Sequence, residues 1–283
     1  MKRGRLPTII LILAFIAGLC LLLYPTASNY WNSLRHSTAI NHYLGDVDAI
    51  DESEYVELMK TARQHNESLL ERANQYKLSE EQSSTYPNLL NISGDGIMGV
   101  IEISAIGVTL PIYHGTSTSV LQKAVGHLEW TSLPIGGEST HSVLSGHRGL
   151  PSSKLFTDLD KLVVGDIFCI RVLNETITYE VDQILIVEPV DTTALEIIKG
   201  EDYCTLVTCT PYGINTHRIL VRGHRIENAA EARFVQVSAD AVMIEPLLVA
   251  PAMFVGLLMI LLIVVALMPY GGNRNGEDIY EEK

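Results

Sequence analysis

The sequence predicts a mainly β domain, a barrel with short helical additions, preceded by an amphipathic helix and framed by a transmembrane helix at each end. Three observations carry this. Short β-branched runs recur between Gly99 and Ile226, broken by Gly, Pro and Asn. Between Asp51 and Gln75 the apolar residues fall at three- and four-residue steps. Two uncharged apolar runs, Leu6 to Tyr24 and Leu247 to Met268, lie towards the two ends. The 283 residues suffice for one or two domains plus extra segments, and a net charge of −13 argues against a nucleic-acid surface. Solubility alone accounts for that acidity.

Lys2, Arg3 and Arg5 precede the first apolar run, so the flank stays cytoplasmic and the following chain goes outside. A retained anchor fits the length of the run; the alternative is a signal peptide cleaved near Thr26-Ala27-Ser28. The amphipathic helix follows, with Asp51 as its N-cap and Tyr55, Leu58, Met59, Ala62, Leu69, Leu70 and Ala73 on one face. Leu78 to Pro87 is polar and Ser-rich and is expected to be an exposed loop. Strands are expected at 99–103, 108–112, 142–145, 167–172, 176–187, 205–209 and 218–222. One or two helical turns are expected at 119–125, and short helices at 153–162 and 192–198. A linker spans 229–246, the second span 247–268 and an acidic tail 269–283, which places both termini on the cytoplasmic side.

The chemistry centres on Thr205 to Arg218. Thr205-Leu206-Val207-Thr208-Cys209 is a short buried strand, Pro211 and Gly213 break it, and Arg218 opens the next strand. Paired as a hairpin, the two strands set the Cys209 thiol opposite the Arg218 guanidinium, and a cation there favours the reactive thiolate. The competing reading is a buried strand cysteine and a surface arginine. A cysteine nucleophile also needs an acid/base partner. His147 ends another short strand, in Ser142-Val143-Leu144-Ser145-Gly146-His147-Arg148-Gly149, while His114, His127, His141, His217 and His224 compete by residue type. Cys204 and Cys209 are five positions apart and so face opposite sides of a strand, which argues against their pairing. Cys20 lies in the first apolar run, and no C-x-x-C metal pattern or phosphate-binding loop occurs.

Thr205 to Cys209 with Arg218, and Gly146-His147-Arg148-Gly149, resemble a sortase. Gly94 to Gly99, Leu110 to Thr116, Gly126-His127-Leu128, Ser132 to Gly137, Gly149-Leu150-Pro151 and Thr208 to Gly213 extend the resemblance to the class C, pilin-polymerising sortases, over about Gly94 to Ile226. The resemblance implies a closed eight-stranded barrel over 94–228, behind an anchor or signal at 1–27 and a helical lid region at 28–93. It implies Cys209 as nucleophile, His147 as acid and base, Arg218 as substrate or oxyanion holder and Thr208 as support of the oxyanion site. The substrate would be a pilin or surface protein with an LPXTG-like sorting signal, cut through a thioacyl enzyme. The acceptor would be a lysine amine on a pilin subunit, at the extracellular face of the bilayer, with no metal or organic cofactor. Alternatives are attachment of surface proteins to the cell wall, a membrane-tethered cysteine hydrolase and a non-enzymatic scaffold. Many class C sortases carry an Asp-Pro-aromatic lid motif; none stands between Gln75 and Gly94, so a lid is expected to be absent or weakly docked.

Overall fold

A computed structural model describes residues 5–72 and 74–228, together with Gly256 and Met259. The expected linker, second span and tail therefore lie outside the described residues, apart from Gly256 and Met259, which are helical. The described residues up to Leu23 belong to one compact unit with Gly256 and Met259, and those from Tyr24 to Asn228 to a second.

Helix α1 (Arg5–Ala49) runs well past the expected end of the first span and carries Pro25 within it. Its stretch from Ile12 is long and apolar enough to cross a membrane, which fits membrane anchoring. In the second unit, α1 docks by Tyr43, which is fully buried. The Tyr43 hydroxyl donates to the Met98 carbonyl at 3.2 Å and accepts from the Leu173 N–H at 2.9 Å. Helix α2 (Glu52–Leu70) is the expected amphipathic helix, capped by Asp51, whose carboxylate accepts from the Glu54 N–H at 2.9 Å. Its Asn66 side chain both accepts from the Leu133 N–H and donates to the Leu133 carbonyl.

The polar stretch after it is helical, which corrects the expected loop. Ser79 and Gln82 form a reciprocal capping box at the start of α3 (Glu80–Thr85), and a 3-10 turn at Tyr86–Asn88 follows. Its Ser and Glu residues face water, since α3 buries none of its side chains. Both flanking tyrosines are held, against the expectation of a loosely attached segment. Tyr76 packs edge-on to Trp130 with ring centroids 5.4 Å apart and hydrogen-bonds Glu196. Tyr86 is 3 % exposed; its hydroxyl donates to His127 Nδ1 at 2.9 Å and accepts from the Gly115 N–H at 3.0 Å.

Eight strands follow: β1 (Ile97–Ile103), β2 (Val108–His114), β3 (Val125–His127), β4 (Thr140–Ser145), β5 (Ile167–Val172), β6 (Glu175–Val187), β7 (Asp202–Thr210) and β8 (His217–Ile226). They close as a barrel in the order β1-β2-β3-β4-β7-β8-β6-β5. Closure leaves no free sheet edge. The expected helix over 153–162 is instead a set of turns with a 3-10 turn at Leu159–Lys161, yet Leu155, Leu159 and Leu162 are all buried as its apolar spacing implied. The expected helix at 192–198 is a 3-10 turn at Thr193–Leu195. Of 119–125 only α4 (Thr118–Leu121) is α-helical, and β3 begins at Val125.

The barrel interior is filled by inward residues such as Ile101, Leu144, Phe168, Cys204, Leu206, Ile219 and Val221. A second, smaller apolar cluster lies on the outer face of β4, β7, β8 and β6. It holds Val143, Leu195 and Leu220, with Trp130, Leu185, Val187 and Val207 against them.

Candidate active site

Strand parity and register build the site. Along β7, Leu206, Thr208 and Thr210 are buried while Val207 and Cys209 are half-buried, the alternation of a strand with one face inward. β7 and β8 are antiparallel, and Cys209 pairs directly with Arg218. The hairpin inferred from the sequence is therefore present, with thiol-bearing and guanidinium-bearing residues on one face. β4 runs parallel to β7 on the other side, with Ser145 beside Val207. β4 ends at Ser145, and His147 lies in the loop two residues beyond it, as Cys209 lies two residues beyond Val207 on β7. Cys209 and Arg218 thus lie on neighbouring strands at one rim of the barrel, and His147 follows the end of the strand on the other side of β7.

Local bonds fix this rim. The Gly146 N–H donates to the Val207 carbonyl at 3.0 Å, and Thr208 Oγ1 donates to the Gly146 carbonyl at 2.6 Å. A Cβ at Gly146 would lie 2.7 Å from the fully buried Phe156 ring, so only glycine lets the chain turn there. The His147 carbonyl accepts from the Phe156 N–H at 3.2 Å, and the Gly149 N–H donates to Thr157 Oγ1 at 3.1 Å. Arg218 Nη1 donates to the carbonyls of His217 and Asn215, at 3.0 and 3.3 Å. The Thr208 hydroxyl is buried and engaged with Gly146, so its contact is with the β4 tip rather than with open space beside Cys209.

The competing histidines separate by position. His141 is buried on β4, with Nδ1 at 2.8 Å from the Glu196 carbonyl and Nε2 at 2.7 Å from Thr205 Oγ1. His127 is fully buried, with Nε2 at 2.8 Å from the Ser132 carbonyl. Burial pushes the pKa of His127 down to about 3 and that of His141 down to about 4. His114 has both ring nitrogens against carbonyls, of Gly96 and Leu89. His224 pairs with Tyr203, towards the far end of the barrel. His217 is at the rim, exposed, but strand alternation turns it away from the face of Arg218. Of the two β7 cysteines, Cys204 is fully buried, and burial followed by the Asp202 charge holds its thiol far above the ordinary value. All cysteines among the described residues are free. No cluster of three or more His, Cys, Asp or Glu suited to a metal occurs among the described residues.

Sequence reasoning missed the supports: Phe156, Thr157, Asp160 and the inward-turned Arg148. The apolar spacing of the 153–162 segment was the signal for Phe156, Thr157 and Asp160, and Arg148 stood beside His147 in the stretch that ends β4.

Residues 101–226 match the sortase domain family. Sortase D of Bacillus subtilis (strain 168) is 31 % identical over 131 residues, covering 45 % of this chain and 63 % of that protein, less than two thirds of its length. Sortase C1 of Streptococcus agalactiae superposes with a TM-score of 0.66 at 53 % identity, covering 68 % of this chain and 100 % of the solved chain. Sortase C-1 from Streptococcus pneumoniae superposes with a TM-score of 0.61 at 46 % identity, covering 68 % and 100 %. A closed eight-stranded barrel with a cysteine and an arginine paired at its rim defines the class, and the chain belongs to the sortase family. Its structural neighbours at 44 % to 53 % identity are class C sortases.

Proposed function

We propose that the chain is a membrane-anchored cysteine transpeptidase that joins pilin subunits. The observation that carries this is the pairing of Cys209 with Arg218 on β7 and β8, with His147 at the tip of the adjoining parallel strand. Cys209 attacks the Thr–Gly carbonyl of an LPXTG-like signal. His147 protonates the departing amine, and Arg218 holds the substrate backbone or the developing oxyanion. A lysine amine on a pilin subunit then attacks the thioester, with His147 taking its proton. Thr208 contributes as a tie between β7 and the β4 tip, on the evidence of its bond to Gly146. The apolar outer face with Val187 and Val207 lies on the same side of the sheet as Cys209 and is suited to apolar residues of the signal. The proposed organisation is an anchor or signal at 1–27, an extracellular helical region at 28–93 and a catalytic barrel at 94–228. A linker at 229–246, a second span at 247–268 and a cytoplasmic tail at 269–283 complete it.

The test is incubation of the full chain in detergent micelles with candidate pilins, followed by mass spectrometry of the cross-link. An isopeptide-linked dimer is expected, and none with Cys209→Ala. Retention of the dimer by Cys209→Ala would sink the nucleophile assignment, and release of cleaved pilin with no linkage would favour a hydrolase.

A further inference from the structure

Two hydrogen bonds tie the two chains on either side of His147 and Cys209. Before them, Thr208 Oγ1 donates to the Gly146 carbonyl; after them, Arg148 Nη1 donates to Thr210 Oγ1 at 3.1 Å. Each residue that follows a reactive one is thus bonded to its counterpart across the two strands.

Arg148 is not a surface arginine. Its side chain is only 8 % exposed, and Nη2 forms an ion pair with Asp160, within the 3-10 turn Leu159–Lys161. A buried guanidinium is costly without such a partner. The charge is therefore tied to a third segment, and the fork that grips Asp160 also reaches the end of β7. Its Nε has no partner among the described residues. Tyr212 lies alongside, its ring centre 5.9 Å from the guanidinium carbon. The same ring packs over Gly149, where a Cβ would come within 3.0 Å of it. The His147 loop, the end of β7 and the 158–161 turn converge on this one side chain.

We propose that Arg148 is a positioning residue that holds Cys209 in register with His147 through Thr210, with Asp160 fixing the guanidinium. The proposal rests on the roles given to His147 and Cys209 above. Thr210 is buried on the opposite face of β7 from Cys209, so the tie acts on the alignment of the reacting groups and not on the face that receives substrate. Misplacing reacting groups by about 1 Å can cost on the order of a hundredfold in rate. Lysine carries the charge without the planar fork and cannot serve Thr210 and Asp160 together.

The test compares the full chain in detergent micelles with Arg148→Gln, Arg148→Lys, Thr210→Val and the Arg148→Gln/Thr210→Val double variant. An LPXTG peptide and a soluble amine are the substrates, and thermal unfolding is followed alongside. Arg148→Gln is expected to lower kcat about tenfold or more, with KM within about twofold, as expected for lost alignment rather than lost binding. Arg148→Lys does not restore kcat, and the double variant is no slower than Arg148→Gln because both remove one tie. An unchanged kcat overturns the proposal whatever happens to the unfolding temperature. Thr210→Val leaves the Arg148–Asp160 ion pair intact and reads the same tie if Arg148→Gln fails to fold. A second measurement needs no turnover: with His147→Cys in place, oxidative disulfide formation between positions 147 and 209 is timed by peptide mapping. Adding Arg148→Gln is expected to slow it about fivefold or more if the loops lose register; equal rates overturn the proposal. A wild-type chain without transpeptidation, or an active Cys209→Ala, counts against the assigned function, and the cross-linking rate then decides the role of Arg148 by itself.

Discussion

Acidification from pH 7.5 to pH 5 is expected to cost this fold several kcal/mol, through histidines the chemistry does not use. The His127 Nε2 and His141 Nδ1 atoms face carbonyl oxygens, which only accept, so those nitrogens carry the proton in the neutral ring. The other nitrogens, His127 Nδ1 and His141 Nε2, accept from Tyr86 and Thr205 hydroxyls. The neutral rings are fully satisfied, and burial depresses both pKa values, to about 3 and about 4. An unfolded histidine titrates near 6.5. Below that value the unfolded chain binds protons that the native chain refuses, so stability is complete above about pH 6.5 and falls as pH drops. At pH 5 each ring costs about 2 kcal/mol, and the pair about 4 kcal/mol, against a typical total of roughly 5–15 kcal/mol. His65, also held down to about 4 chiefly by burial and then by the Arg72 charge, adds to the same trend. His114 acts in the same direction, because burial lowers its pKa against the opposing effect of the Gly96 and Leu89 carbonyls. Asp51, Asp158 and Asp191, whose pKa values are lowered, lose their contributions only below the ordinary carboxylate range. The assay is urea unfolding of the full chain in detergent at pH 7.5 and pH 5, followed by tryptophan fluorescence. His141→Gln should remove about 2 kcal/mol of the pH-dependent loss. A loss under about 1 kcal/mol in the parent chain would refute the reasoning, since it would mean that the buried rings take up protons in the native state.

Two further outcomes follow from the rim and from the N-terminal region. Arg218→Lys is expected to lower turnover about tenfold or more, because lysine keeps the charge but loses the fork that can grip two acceptors; near-normal rates would show that charge alone suffices. Ser84→Cys, exposed on α3, is expected to react with a membrane-impermeant thiol reagent on intact cells, as the charges beside the first span imply. Labelling only after lysis would reverse the proposed topology.

What the sequence disclosed and what it hid divide along the range of the forces involved. The β7–β8 hairpin was readable because its two strands are joined by a short loop marked by Pro211 and Gly213, so register follows from nearby residues. The Asp51 cap of α2 was readable for the same reason. The strand order was not, because β4 reaches β7 across β5 and β6, and no local pattern encodes that parallel pairing. The closed barrel was expected from the resemblance to a known family. Helix α3 differs: Ser79 and Gln82 are a legible capping box, but the polar, Ser-rich composition around them favours a loop by residue type alone. The docking of Tyr86 on His127 joins residues far apart in sequence, and nothing in its neighbourhood announces it.

The two cysteines of β7 show why position outranks residue type at this rim. Cys204 and Cys209 are five positions apart, an odd offset, so the pleat sends them to opposite faces. Cys204 enters the barrel interior, where burial and the Asp202 charge disfavour its thiolate. Cys209 reaches the outer face one residue before the strand ends, opposite Arg218. Shifting β7 by one residue would reverse these assignments and turn Thr208 and Thr210 outwards. The bonds that resist such a slip lie on the inner side of the same strand: Thr208 to Gly146 and Thr210 to Arg148. The inner residues of β7 therefore do more than fill the barrel. They fix the register that presents Cys209, and the ion pair of the buried Arg148 side chain with the exposed Asp160 anchors that register to the rest of the fold.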